Sequence, residues 1–236
     1  MKILAIDTTA KTATAALTEN ERLIALTVLN TPNTHSVTLL PMINGLLSGA
    51  SLTVKDIGLL VCSAGPGSFT GVRIGTSAIK GLAFADNKPC IGVSALEALA
   101  MNVTEDGIVC PAMDARRNQV YNALFRCENG ALTRLTPDRA ISASELGAEL
   151  SGEQGRIFVT GDGSEIVKRA LEGKNAVMPH EVLCYHNAYS VALLGYRTYI
   201  NSSDEEKKKF THERLSPTYL RMPQAERERL EKEGKK

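Results

Sequence analysis

The chain has 236 residues, a natural size for two lobes, and its 43% hydrophobic content indicates a globular protein with a buried core. A formal net charge of +1 gives no reason to expect strong nucleic-acid binding by the chain alone. No apolar run approaches the ~20 residues needed to cross a bilayer, and no export signal is recognisable at residues 1–7. The five cysteines are scattered, without a C-x-x-C pair, as in reduced proteins. We therefore expect a cytoplasmic protein with no membrane partner.

The first part of the chain predicts three strands and then alternating helices and strands. Strands are expected at residues 2–6, 12–17, 23–29, 57–62 and 89–93. Helices are expected around residues 39–47, at 70–85 and at 95–101. Asn33 or Thr34 is predicted to cap the first of these helices, in which Pro41 causes a kink or a late start.

The second part of the chain predicts the same order of elements. Strands are expected at residues 108–113, 119–125, 132–135, 156–160 and 175–178. Helices are expected at residues 142–150, 165–171 and 188–200. A charged connector follows at 202–209, then a segment at 215–221 that is apolar enough to dock.

Matching residues in the two parts indicate an internal duplication. Residues 5–7 with 16–17 match residues 112–114 with 123–124 at identical spacing, and residues 65–68 match 161–164. The duplication predicts an α/β protein of two lobes, 1–103 and 104–225, followed by a charged tail at 226–236. Each lobe is expected to hold a mixed five-stranded sheet with helices in the order βββαβαβα, with a cleft between the lobes.

The stretch at residues 63–75 reads as strand, glycine turn and helix. Gly65 and Gly67 allow positive φ and a close backbone approach, and Ser68 or Thr70 can cap the helix. A helix N-terminus suits an anion. The stretch is equally consistent with a tight strand-to-helix crossing that binds nothing.

Two mixed α/β lobes with Asp7-Thr8-Thr9 after the first strand resemble the actin-like ATPase superfamily, which has a ribonuclease H-like fold. More specific motifs resemble the TsaB (YeaZ) family, accessory proteins for threonylcarbamoyladenosine formation in tRNA. These motifs are residues 2–9, His35 with 39–41, 65–75, 92–94, 114–117 with 120–121, and 217 with 219–221. They span nearly the whole chain, and residues 65–75 are the most specific part.

The resemblance implies a non-catalytic paralogue of TsaD, whose His-x-x-x-His metal pair lies on the helix after the fifth strand. Ala95 and Leu99 stand at the two histidine positions here, and neither side chain can ligate a metal. We therefore expect no catalytic residue and no metal. His35 is interpreted as a capping or packing residue, with a ligand or base as the alternative.

The resemblance also implies a nucleotide cleft, in which the hairpins after Asp7 and Asp114 grip phosphates. The candidate cleft residues are Asp7, Thr8, Thr9, Gly65, Gly67, Ser68, Arg116, Gly161, Asp162 and Gly163. Ala115, Arg116 and Arg117 replace the glycines of the catalytic relative, so side chains obstruct the approach to a phosphate. We expect a vestigial cleft and no cofactor. Weak ATP or ADP binding is one alternative, and a capping role for Asp7 is another.

The helix at 70–85 is apolar around much of its circumference and contains three glycines, which predicts burial on nearly all sides. We expect it to form a four-helix interface with the helix at 39–47 and the equivalent pair of a partner. The candidate interface residues are Leu39, Ile43, Gly71, Ile74, Gly75, Ala78, Ile79 and Leu82. Ordinary packing within the lobe is the alternative.

The resemblance implies a scaffold subunit that pairs with and activates TsaD, joined by the P-loop ATPase TsaE. Threonylcarbamoyl-adenylate would be the donor, and tRNA would be bound through the complex, with Arg116, Arg117 and Lys207–Lys209 as contacts or as a solvated face. One alternative is a small actin-like kinase using Asp7. Another is a homodimer built on the same helices.

Overall fold

A computed structural model describes residues 1–172 and 175–221 of the chain. The first part contains β1 (Lys2–Asp7), β2 (Ala13–Glu19), β3 (Arg22–Leu29), α1 (His35–Gly49), β4 (Leu59–Gly65), α2 (Phe69–Phe84), β5 (Cys90–Ser94) and α3 (Ala95–Ala100). The second part contains β6 (Gly107–Asp114), β7 (Gln119–Asn122), β8 (Phe125–Glu128), β9 (Ala131–Arg134), β10 (Arg139–Ser142), α4 (Ala143–Glu149), β11 (Ile157–Thr160), α5 (Ser164–Ala170), β12 (Ala176–Val177), α6 (Ala188–Asn201) and α7 (Asp204–Lys207). The predicted tail at 226–236 lies outside the described residues.

The first sheet is the mixed five-stranded sheet that the sequence predicts. Its strand order is β3-β2-β1-β4-β5, with β2 antiparallel to β1 and β3, and with β4 parallel to both β1 and β5. Strands β1 and β4 are buried almost throughout because helices cover both faces of the sheet. Helices α1 and α2 pack on one face, and α6 packs on the other.

The second sheet has seven strands, so the prediction of five is corrected. The strand expected at 119–125 is divided: β7 pairs with β10 and the end of β6, whereas β8 pairs with the start of β6 and with β9. Between these two pairings β6 contains Pro111, which has no N–H to donate to a ladder. The side chain of Asn122 bridges the interruption by donating to the carbonyl of Pro111 at 3.0 Å.

Two helices lie where the halves of the chain meet. Helix α3 presents Leu96 and Leu99 to the core of the second sheet, while its Ala98 belongs to the core behind the first sheet. Helix α6 follows the second sheet in sequence, but its Val191 and Ala192 pack against the first sheet. The halves therefore interlock through helices that cover each other's sheets.

Three further features complete the described structure. The connector predicted at 202–209 contains the short helix α7, whose start is capped by Ser203 and Glu206. The segment at 215–221, which the sequence predicts to dock, packs on the first lobe with Leu215 in its core. In the part of the chain that the structure describes, no helix is both long and apolar enough to cross a membrane.

Candidate functional site

Asp7 ends β1, and its carboxylate is fully engaged by protein groups. The side chain is buried, with 1% of the residue exposed. One oxygen accepts hydrogen bonds from the amide and hydroxyl of Thr9, both at 2.7 Å. The other accepts from Ser63 Oγ at 2.5 Å and from His186 Nδ1 at 2.9 Å. The bond to the Thr9 amide is the capping interaction that the sequence offered as an alternative.

His186 is the charged partner of Asp7, and sequence reasoning missed it. The imidazole is 2% exposed and precedes α6, so it joins the start of that helix to the end of β1. Burial raises the pKa of Asp7, but the charge and hydrogen bond of His186, with the bonds from Ser63 and Thr9, outweigh it and lower the pKa overall. Burial lowers the pKa of His186, but Asp7 outweighs it and raises the pKa overall. Both pKa shifts favour the charged form of the pair.

Thr8 fastens the end of β1 to α2. Its hydroxyl donates to the carbonyl of Gly71 at 2.7 Å. A Cβ on Gly71 would collide with the carbonyl oxygen of Thr8, and one on Gly75 would lie 2.6 Å from Thr8 Oγ1. These two glycines therefore allow the helix to approach the strand within one lobe.

The predicted glycine turn is present after β4, and its backbone makes close contacts with other parts of the chain. Gly65 has φ +121°, and a Cβ there would collide with the carbonyl oxygen of Thr218. Gly67 has φ +156°, and a Cβ there would lie 2.5 Å from the carbonyl oxygen of Thr9. Ser68 caps α2 by accepting from the Gly71 amide at 3.3 Å.

A cavity of about 410 Å³ lies between the lobes, bounded by the loop after β1, the start of α2, the turn after β6 and the C-terminal segment. Five of the predicted cleft residues line it: Thr9, Gly67, Ser68, Arg116 and Asp162. The other five do not, namely Asp7, Thr8, Gly65, Gly161 and Gly163. Gly161 and Gly163 instead pack against the backbone of β6, where a Cβ would strike Ala112 or Met113. The structure thus divides the predicted set between cavity and core.

The turn after β6 keeps a backbone path typical of glycine although it contains none. Arg116, Arg117 and Asn118 have φ values of +67°, +55° and +57°. The left-handed conformation costs roughly 1–2 kcal/mol per residue for most side chains and less for asparagine. The exposed guanidinium of Arg116 pairs with Asp114 at 3.2 Å and lines the cavity. A side chain therefore occupies space that a glycine would leave open.

The predicted interface set is divided by burial. Leu39, Ile43, Gly71, Gly75 and Ile79 are buried inside the first lobe. These five residues pack within the lobe in the single chain, and their contact with a partner stays a prediction. Ile74, Ala78 and Leu82 are half-buried against the same core.

The outer face of α1 and α2 is exposed in the single chain, so the expected burial of α2 on nearly all sides would require a partner to cover this face. Val37 is 65% exposed on α1, and Phe84 is 71% exposed on α2. Ser77 and Gly81 are also exposed on α2, and a Cβ on Gly81 would meet no atom within 4 Å. We call this surface the α1–α2 face, formed by Val37, Leu40, Ser77, Gly81 and Phe84.

Other predicted residues have local roles. His35 begins α1, and its Nε2 lies 2.8 Å from the carbonyl of Ala10, as expected of a packing residue. Lys207 and Lys208 pair with acidic residues of their own helix, at 3.7 Å to Asp204 and 2.6 Å to Glu205. Across residues 1–172 and 175–221, no three His, Cys, Asp or Glu side chains are grouped so that they could hold a metal.

The two interlocked lobes and the cleft between them define a protein of the actin-like ATPase fold. Residues 30–227 match the family described as "TsaD: tRNA N6-adenosine threonylcarbamoyltransferase". The tRNA threonylcarbamoyladenosine biosynthesis protein TsaB of Bacillus subtilis is 32% identical over 98% of this chain and 99% of its own length. The Escherichia coli protein of the same name is 40% identical over 55% of this chain and 58% of its own. The chain therefore belongs to the TsaB family, also called YeaZ.

Solved structures agree with this assignment. YeaZ from Pseudomonas aeruginosa superposes with a TM-score of 0.77 and 26% identity, covering 93% of this chain and 99% of that one. Component A of the (R)-2-hydroxyglutaryl-CoA dehydratase of Acidaminococcus fermentans superposes with a TM-score of 0.51 and 14% identity, covering 85% and 100%. The second likeness concerns the fold alone.

Proposed function

We propose that this chain is a non-catalytic scaffold subunit in the biosynthesis of threonylcarbamoyladenosine in tRNA, and that it pairs with and activates a catalytic TsaD-type paralogue. The observation that carries the proposal is the similarity to the Bacillus subtilis TsaB protein along practically the whole of both chains. A P-loop ATPase, TsaE, would join the pair, and tRNA would be bound by the complex in the cytoplasm.

The absence of a catalytic role is supported by the residues at the two positions discussed above. Ala95 and Leu99 are fully buried in α3 and carry no group that could bind an ion or move a proton. Asp7, the base of the kinase alternative, already accepts four hydrogen bonds inside the protein. A carboxylate in this state has little capacity left for Mg²⁺ or a substrate hydroxyl.

The α1–α2 face is the proposed contact with the paralogue. It combines exposed apolar side chains, Val37, Leu40 and Phe84, with small residues that let another helix approach closely. The buried residues behind it fix both helices against the first sheet, so the face is presented rigidly. A second copy of the chain would use the same face, so self-pairing and pairing with the paralogue would exclude each other.

Gly81→Arg tests this proposal without disturbing the lobe, because the position opens to solvent. We expect binding to the TsaD-type paralogue, measured by calorimetry, to weaken by at least ~tenfold, equivalent to about 1.4 kcal/mol. Gly155→Arg is the matched control, since that glycine is also open but lies in the second lobe. Unchanged binding by a folded Gly81→Arg variant would refute the proposed face. Light scattering of the chain alone and mixed with the paralogue would show whether self-pairs exchange.

A further inference from the structure

The segment at residues 210–221, here called the C-terminal strap, runs along the first lobe before it reaches the cleft. It begins beside β5, where the amide of Cys90 donates to the carbonyl of Phe210 at 3.0 Å. Leu215 then enters the core of the first lobe, and Lys80 on α2 donates to its carbonyl at 3.2 Å. This first section of the strap is therefore an integral part of the lobe.

The next section of the strap crosses the glycine turn. The Thr218 amide donates to the carbonyl of Ala64 at 2.7 Å. The carbonyl of Thr218 occupies the space that a side chain on Gly65 would need. The bare backbone at Gly65, which the sequence suggested for a bound anion, is thus covered by the chain itself.

Aromatic and cationic side chains hold the strap at this point. The ring of Tyr219 stacks on Phe69 with a centroid separation of 4.8 Å. Its hydroxyl accepts from Arg73 Nε at 2.8 Å, and the Arg73 guanidinium lies 3.9 Å from the centre of the Phe69 ring. Tyr219 is 41% exposed, so its contacts with Phe69 and Arg73 lie at the surface and not in the core.

The end of the strap reaches the second lobe. Arg221 donates to the carbonyl of Ala115 at 2.6 Å, in the turn after β6. Four successive strap residues, Thr218 to Arg221, line the inter-lobe cavity together with Ser68, Phe69 and Ala115. The strap is thus attached on both sides of the cavity and forms one wall of it.

We propose that the C-terminal strap is an intramolecular lid, closed over the inter-lobe cavity by Tyr219 on one lobe and Arg221 on the other. Both attachments are polar or surface contacts, which open at lower free energy than a buried core. Because the lid is part of the same chain, its effective concentration at the cavity is high and no external ligand is needed to close it. This inference goes beyond the proposed scaffold function and does not depend on it.

The test measures solvent access to the cavity wall by thiol labelling. Ala115→Cys places a thiol at a cavity position that is 6% exposed. Cys184→Ser serves as the background, because the other four native cysteines are buried. In this background Tyr219→Ala/Arg221→Ala should speed the reaction of residue 115 with iodoacetamide by at least ~tenfold.

Arg214→Ala is the matched control, since Arg214 is an exposed arginine of the same strap outside the cavity lining. It should leave the labelling rate unchanged. An unchanged rate in a folded double variant, or equal acceleration by Arg214→Ala, would overturn the lid. If the double variant does not fold, Arg221→Ala alone must still accelerate labelling, because it removes the attachment to the second lobe.

Discussion

Asp7 and His186 form a buried ion pair that joins residues 179 positions apart. Each charge would be costly to bury alone, because water no longer solvates it. The two hydroxyl groups and the amide that complete the coordination of Asp7 leave its carboxylate oxygens satisfied. The ion pair links β1 to the start of α6. Without these partners, the carboxylate at the end of β1 would be free to react.

His186→Gln should therefore destabilise the protein strongly, by roughly 3–5 kcal/mol, since it leaves Asp7 buried without its counter-charge. The loss should depend on pH. Because the pKa of His186 is raised from its ordinary 6.5, its contribution is complete below that pH and disappears as pH rises through the higher folded value. Because the pKa of Asp7 is lowered from its ordinary 3.8, its contribution is present above that pH and disappears as pH falls through the lower folded value.

Urea unfolding of both proteins between about pH 3 and 9 provides the measurement, because this range extends below the ordinary pKa of Asp7 and above that of His186. The difference in unfolding free energy should be largest between about pH 4 and 6.5 and smaller on either side. His180→Gln is the control, because His180 is exposed and has no charged partner among the described residues. A pH-independent difference would mean that the pair is not charged in the folded protein.

The contacts of Asp7 and His186 show which features of the site the sequence can predict and which it cannot. Asp7 capping the Thr9 amide spans two positions, so local chemistry is enough to suggest it. His186 belongs to no motif and has no neighbour at helical spacing, so nothing local identifies its partner. Its role follows from where α6 crosses the first sheet, which is a property of the tertiary fold.

Among the elements, α2 shows how glycines in one helix serve different purposes. Gly71 and Gly75 face β1 and admit Thr8, whereas Gly81 faces open space. The apolar pattern of the sequence predicted the helix and its bounds closely, but it did not reveal which glycines lie inward. Orientation depends on the position of the strand behind the helix, and one sequence does not contain that information.

Alanine substitutions should separate these two kinds of glycine. Gly81→Ala should stabilise the isolated chain by about 0.5–1 kcal/mol, since alanine is the better helix former and meets no neighbour. Gly71→Ala should destabilise it by at least ~1–3 kcal/mol, because the new Cβ collides with the backbone of Thr8. Urea midpoints would measure both, and equal effects would contradict the assigned orientation of α2.

The divided strand at residues 119–128 shows that a sequence pattern can predict a strand without predicting the strands it pairs with. An apolar, β-branched and aromatic run predicts strand, and both β7 and β8 are strands. Their change of partner is set by Pro111 on the neighbouring strand and by β10, which brings Ile141 opposite Val120. The choice of pairing partner depends on the adjacent strands. The hydrophobic periodicity of a single segment does not identify them.

For the whole molecule, the duplicated pattern correctly predicted two mixed sheets but not how they are joined. Ile3, Ala5, Leu59 and Val61 form one face of the first sheet, and that face is covered by Val191 and Ala192 of α6. Gly195 on the same helix lies so close to Val61 that a Cβ would collide with its side chain. The chain thus returns to its first sheet after the last strand of its second, β12.

This crossing predicts that the boundary proposed between residues 103 and 104 does not separate two independently stable units. A fragment of residues 1–103 would keep α1 and α2 but expose the opposite face of its sheet to water, at roughly 25 cal/mol per Å² of apolar area. We expect this fragment to lack a cooperative thermal transition by calorimetry, and to regain one when residues 104–236 are added. A control fragment of residues 104–236 should also be destabilised, because Leu96 and Leu99 of α3 belong to the core of the second sheet. Sharp, independent transitions for both fragments would show that the interlocking helices contribute little, and that the stability of each lobe resides in its own sheet.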